Sequence, residues 1–396
     1  MSFEPGAPAA VGAIPLSVPE VQGHEWHYIK ECLDTGWVSS VGSYVDRFEA
    51  ALAARIGAQH AVATVNGTAA LHVALRVAGV EPGDEVVVST LTFIAPANAV
   101  RYLGAWPVFM DAEPRYWQMD VAKLAGFLAE GCAQVAGVLR NRRTGRRVRA
   151  LLPVHILGHS VDMVPLLELA RRYELPVIED ASEALGACYR GQPVGSHGDI
   201  ACFSFNGNKI ITTGGGGMIT TNRAAWASQA KYLTTQAKDD PLEYRHEEIG
   251  YNYRLTNLAA AMGVAQLERL DEFVAAKRRI AGRYAAAFRA VPGLAGMEQA
   301  EWAQSTYWLY TVRICPERFG MNSRELLRVL GQRGIQSRPL WQPMHASGAQ
   351  AGAMAWEVAV ADQLCAECLS LPSSVGLTVA QQDAVIEAVL AASGRA

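Results

Sequence analysis

Between Val62 and Thr221 the chain repeatedly sets a short apolar run beside an amphipathic stretch, and this alternation constrains the fold more than any other feature. Short apolar runs flanked by turn signals read as strands buried on both faces, and the stretches between them have helical spacing. The predicted strands are Ala61–Val65, Glu85–Ser89, Trp106–Met110, Val135–Leu139, Ala150–Val154, Val177–Glu179, Ile200–Phe205 and Gly217–Thr221. Helices are predicted at Ala69–Ala78, Pro96–Leu103, Val121–Ala129 and Val164–Tyr173. The pattern specifies an α/β fold, a mostly parallel sheet covered by helices on both faces.

Beyond residue 265 the pattern changes. A charged amphipathic helix is predicted at Asp271–Ala290, a β-rich run at Trp308–Ile314, a helix at Ser323–Gln332 with Ser323 as its N-cap, and a closing helix at Val379–Ala391. With 396 residues, 50% of them hydrophobic, the chain has material for two cores. The expected division is a flexible Pro/Gly/Ala-rich lead over 1–13, a large α/β domain over 14–265, and a smaller α+β domain over 266–396.

Composition excludes several functions. A net charge of -3 leaves no footprint for nucleic acid, and the basic stretch Arg140–Arg149 reads as a solvated hairpin or loop. The longest uncharged run, Ile56–Leu75, is interrupted by Gln59, His60, Asn66, Gly67 and His72, so no membrane span is predicted. The N-terminus lacks a basic segment ahead of an apolar one, which points to a cytoplasmic protein. The seven scattered cysteines read as reduced thiols, and Cys365 and Cys368 lack the second pair a zinc site needs, so no metal is expected.

Two residues carry the chemistry. Asp180 ends the run Leu-Pro-Val-Ile-Glu-Asp, and Lys209 sits in Phe-Ser-Phe-Asn-Gly-Asn-Lys, ahead of four glycines at Gly214–Gly217. A carboxylate at a strand end and a lysine in a polar turn are what pyridoxal 5'-phosphate requires, one for its ring nitrogen and one for its aldehyde. The plainer readings are a helix cap for Asp180 and a surface lysine for Lys209. Asn66-Gly67-Thr68-Ala69 joins a strand to a helix, so the N–H groups of Gly67, Thr68 and Ala69 can face a phosphate; alternatively the segment is a tight turn with Thr68 as cap. The glycines at 214–217 precede a strand and not a helix, which argues against a dinucleotide loop.

With these residues placed, the chain resembles the DegT/DnrJ/EryC1/StrS family of sugar nucleotide aminotransferases. The resemblance runs from Gly36-Trp37-Val38-Ser39-Ser40 to Arg338-Pro339-Leu340-Trp341. It is carried by Asn66-Gly-Thr-Ala-Ala-Leu, Val177-Ile-Glu-Asp-Ala, Phe203-Ser-Phe-x-x-x-Lys and Gly250-Tyr-Asn-Tyr-Arg-Leu-Thr-Asn in that order. It implies fold type I of the pyridoxal phosphate enzymes, the aspartate aminotransferase type.

By that similarity Lys209 holds the cofactor as a Schiff base, Asp180 pairs with its pyridine nitrogen, and Gly67, Thr68 and Ser204 bind its phosphate. Phe93 matches the aromatic residue stacked on the ring, and Asn252 an asparagine that reaches the neighbouring subunit's cofactor, which implies a homodimer with composite sites. L-glutamate is the implied amino donor, with pyridoxamine phosphate carrying the amine to a keto sugar nucleotide. Trp37, Ser39, Arg338, Trp341 and His345 are the candidates for the sugar nucleotide cleft.

Asn206 and Glu183 depart from the family, which often has histidine at the first position and glutamine or histidine at the second. Together with Tyr116-Trp-Gln-Met-Asp and Ser337-Arg-Pro-Leu-Trp-Gln-Pro-Met-His, they resemble the branch that aminates C4 of UDP-linked 4-keto-6-deoxy-N-acetylhexosamines for surface polysaccharide. A GDP- or dTDP-linked keto sugar is the alternative substrate. A nicotinamide-dependent oxidoreductase and a non-catalytic sensor that keeps the cofactor are the alternatives of other classes. The related sugar 3-dehydratases carry histidine at the Schiff-base position, where this chain has Lys209.

Overall fold

The computed structural model describes residues 12–240 and 242–393. Of the lead expected over 1–13, residues 1–11 lie outside the described residues. The large sheet has strands β1 (His60–Thr64), β2 (Glu85–Ser89), β3 (Trp106–Met110), β4 (Val148–Leu152), β5 (Ile178–Asp180), β6 (Ile200–Ser204), β7 (Gly217–Thr221) and β8 (Met354–Trp356). Their order is β1-β7-β6-β5-β4-β2-β3-β8, with β4 and β5 joined by the bridges Leu151–Val177 and Val154–Asp180. Only β7 runs against its neighbours. Val86, Val87 and Val88 in β2 are fully buried, so a strand covered on both faces reads as an unbroken apolar run.

Helix α1 (Glu25–Thr35), helix α2 (Ser43–Ile56) and helix α4 (Asn257–Glu268) pack together beside the sheet, and α3 (Gly67–Val77) follows β1 directly. Phe48 of α2 reaches Phe205 with ring centroids 5.0 Å apart, tying this layer to the end of β6. Helix α5 (Leu270–Phe288) leads into a second core built on Tyr284, Tyr310, Val312, Leu330 and Leu369. Its sheet is antiparallel, in the order Leu294–Gly296, Thr311–Ile314, Cys368–Ser370, Arg338–Pro339.

Several expectations shift. Val135–Leu139 is not one strand: Cys132–Val135 and Val138–Asn141 form a hairpin, turning at Ala136 and Gly137 with φ of 50° and 76°. The helix from Val121 ends at Gly126 and widens into a π turn over Phe127–Gly131. Asn322, not Ser323, caps the helix Ser323–Gln332, because its side chain accepts from Glu325 N–H and Glu325 bonds back. The basic stretch does form the expected hairpin, Arg140 bridging Arg147, and Arg147 is in addition paired with Asp84 at 2.6 Å and Glu81 at 3.0 Å. Ile14 packs in the C-terminal core and bridges Ile335, and β8 lends a C-terminal segment to the large sheet, so the chain crosses the expected boundary twice. No metal-binding cluster and no helix long and apolar enough to cross a membrane occur among the described residues.

Candidate active site

The ends of β1, β5 and β6 and the start of α3 meet at one edge of the sheet. This is the C-terminal edge of the parallel strands, where open α/β sheets collect ligands. A cavity of about 270 Å³ lies there, lined among others by Gly67, Thr68, Phe93, Asp180, Ser204 and Lys209. Residues about thirty apart in sequence meet because β5 and β6 are adjacent parallel strands, pairing Cys202 with Asp180.

Asp180 is buried, and its Oδ1 accepts the N–H of Ser182 at 3.0 Å. Residues 182–186 form turns and not a helix, so Asp180 is no helix cap. Burial pushes its carboxyl up, against the opposing pull of the Ser182 bonds and the charge of Lys209. Lys209 follows a turn closed by its own N–H on Asn206 O at 3.0 Å, and its side chain is mostly enclosed. Its Nζ stands 3.5 Å from Glu183 Oε1 and 4.0 Å from the centre of the Trp308 ring. Burial raises the Glu183 carboxyl as well, with the Lys209 charge and the Leu157 N–H, 2.8 Å from Oε2, acting against it.

The helix start is shaped for an anion. Asn66 caps α3, taking the N–H of Ala69 on its side chain at 2.8 Å. Ala69 therefore has no N–H to offer, contrary to expectation, and the cap is Asn66 and not Thr68. The N–H groups of Gly67 and Thr68 and the Ser204 hydroxyl have no protein partner among the described residues. All three residues line the cavity. The glycine run serves close approach: a Cβ on Gly217 would fall 2.5 Å from the backbone of Asn66. Unpaired donors at a helix N-terminus, a lysine and a buried carboxylate lining one cavity fit a phosphorylated, aldehyde-bearing pyridine ring.

The other predicted residues separate. Phe93, exposed, and Asn206 line the cavity, as does Trp341, whose ring lies parallel to that of Trp308 with centroids 6.5 Å apart. Asn252 is exposed and does not line its own chain's cavity. Trp37 borders a different cleft, where its carbonyl accepts from Asn257, and Ser39 O takes the Asn257 N–H at 2.6 Å. Arg338 is exposed and bonds the carbonyl of Ser337. His345 meets Thr90 Oγ1 at 2.8 Å on one ring nitrogen and Asp362 at 3.2 Å on the other, so neither is free for a ligand. Trp308, Ser182 and Leu157 were not singled out from sequence. Trp308 opened a β-rich run and signalled only core.

An α/β sheet that presents a buried aspartate, a lysine and an open helix start at one edge defines a pyridoxal phosphate-dependent transferase of fold type I. The DegT/DnrJ/EryC1/StrS aminotransferase family model matches residues 19–390, and the chain belongs to that family. The GDP-perosamine synthase of Caulobacter vibrioides is 43% identical over 377 residues, covering 95% of this chain and 97% of that protein. The GDP-perosamine synthase of Escherichia coli O157:H7 is 39% identical, covering 84% of this chain and 85% of that one. The crystal structure of DesV from S. venezuelae superposes with a TM-score of 0.84 at 33% identity, covering 94% of this chain and 95% of that one. The protein is a sugar nucleotide aminotransferase.

Proposed function

We propose that the protein moves the amino group of L-glutamate to C4 of a GDP-linked 4-keto-6-deoxyhexose, for surface polysaccharide synthesis. The convergence of Lys209 and Asp180 in one cavity carries the reaction type. The relatives named GDP-perosamine synthases support GDP, the alternative in the sequence reading, over the UDP-linked sugar that was its first expectation.

Pyridoxal phosphate, when bound, supplies an electron sink and carries the amine between the two substrates. In this reading Gly67 and Thr68 N–H and the Ser204 hydroxyl hold the phosphate, and Asp180 keeps a proton on the pyridine nitrogen. Phe93 covers one face of the ring, and Glu183, raised by burial, offers a proton toward the phenolic oxygen. Lys209 Nζ would hold the cofactor's aldehyde carbon, and as a free amine it would take the proton from the amino acid's α-carbon and return one at sugar C4.

The exposed position of Asn252 suits a role at the neighbouring subunit's phosphate, so the working unit in this reading is a homodimer with composite sites. Trp341 is the best-placed of the predicted residues for the sugar nucleotide. Trp37, Ser39 and Arg338 contribute only if the second subunit brings them to the cleft. Assays of 2-oxoglutarate release with GDP-, UDP- and dTDP-linked 4-keto-6-deoxyhexoses test the specificity. The expected kcat/KM is highest for GDP by about tenfold or more; a preference for the UDP sugar contradicts it.

A further inference from the structure

A buried lysine with no carboxylate beside it among the described residues stands behind the site. Lys277, on α5, is 2% exposed, and its Nζ donates to the carbonyls of Trp308 at 2.8 Å and Ser373 at 2.6 Å. Burial lowers its pKa to about 7, with no other influence of note among the described residues. Methionine would fill similar space without desolvating an amine, so packing alone does not account for lysine here. What its bonds do is fix the backbone at Trp308.

Trp308 is held at two further points. Its N–H donates to Leu157 O at 3.0 Å, and its indole N–H to Asn208 O at 2.7 Å. The ring so fixed presents its face to Lys209 Nζ at 4.0 Å. Leu157 N–H binds one oxygen of Glu183 at 2.8 Å, and the other oxygen is 3.5 Å from the same Nζ. The contacts close a ring through Lys209, Glu183, Leu157 and Trp308. An indole face attracts a cation and does nothing comparable for a neutral amine. The titratable acids facing Nζ among the described residues are Glu183 and Asp180.

We propose that Trp308 is the platform on which Lys209 rests as an ammonium in the resting pyridoxamine phosphate form, before the keto sugar binds, and that Lys277 is the positioning residue that holds this platform. The inference rests on Lys209 being the cofactor lysine. A fixed face keeps Nζ near the reacting carbon through both halves of the reaction, where a free side chain would swing into solvent.

The test reads Lys209 itself. The pyridoxamine phosphate form, made by adding glutamate, is labelled with trace acetic anhydride over a pH series, and acetylation of Lys209 is followed by mass spectrometry. In Trp308→Leu the labelling midpoint falls, so the free-amine fraction below it rises about three- to tenfold, and Trp308→Phe recovers most of the change. Better access alone raises labelling equally at every pH and moves no midpoint.

Lys277→Met shifts the midpoint the same way and lowers kcat, leaving the glutamate KM within about twofold. An unchanged midpoint in Trp308→Leu overturns the platform. Unchanged midpoint and kcat in Lys277→Met overturn the positioning role, and Lys277→Gln is read the same way if the methionine variant does not fold. Borohydride trapping on the unmutated holoenzyme separates the two levels: an adduct away from Lys209 removes the underlying reading, and one on Lys209 leaves it standing whatever the variants show.

Discussion

Gly67 and Ser204 approach so closely that a Cβ on Gly67 would lie 2.8 Å from Ser204 Cβ and 3.2 Å from its hydroxyl. The start of α3 and the end of β6 thus form one wall of the cavity, with only hydrogen on the glycine side. The proposed phosphate donors come from both halves of that wall, so its spacing sets their geometry.

Gly67→Ala is expected to weaken cofactor binding about tenfold or more, because the new methyl pushes the two halves apart. Gly207→Ala, where a Cβ meets nothing within 4 Å, is expected to bind like the unmutated protein. Titration of the cofactor absorbance at constant protein concentration compares the two.

Much of this wall was legible in the sequence. β2, β3 and β7 have the predicted bounds, because strands buried on both faces show as apolar runs with clear turn residues at each end. The hairpin at Cys132–Asn141 was not, since Val135 to Leu139 is apolar straight through the turn and only Gly137 marks it. Asp180, Lys209 and Gly67 could be singled out because each stands at a strand end or a polar turn, although each also had a plainer structural reading there. Trp308 and Leu157 could not: their roles arise from contacts between separate segments, Trp308 reaching back to Asn208 and Leu157, which periodicity does not report. Trp37 and Arg338 lie away from the cavity of the single chain, so the resemblance that named them is informative only for an assembly.

Asp180→Asn is expected to lower kcat by about 10²-fold or more with the cofactor still bound, since the amide cannot hold the ring proton as a carboxylate does. Single-turnover rates with glutamate alone check it. Loss confined to the sugar half of the reaction would contradict the role.

Glu179 makes a pH prediction. Its Oε2 meets His155 Nε2 at 3.0 Å and Gly195 N–H at 2.9 Å, and its Oε1 accepts from His197 and Gly198 N–H at 2.8 and 2.6 Å. Burial alone would raise this carboxyl, but His155, with help from His197 and Gly198, brings it from 4.5 down to about 2. A depressed carboxyl stabilises the fold above its unfolded pKa and loses that contribution as pH falls through the folded value. Glu179→Gln should therefore be less stable by on the order of 3 kcal/mol near neutral pH. The gap to the unmutated protein should close between about pH 4.5 and pH 2, as denaturant unfolding at a series of pH values would show.

The central claim is a covalent one: a single lysine at the end of β6 holds the cofactor. Protein incubated with pyridoxal phosphate, reduced with borohydride and digested for mass spectrometry tests it most directly. The account predicts one pyridoxyl adduct, on Lys209, absent together with turnover in Lys209→Ala. An adduct on any other lysine, or full turnover by Lys209→Ala, would contradict it.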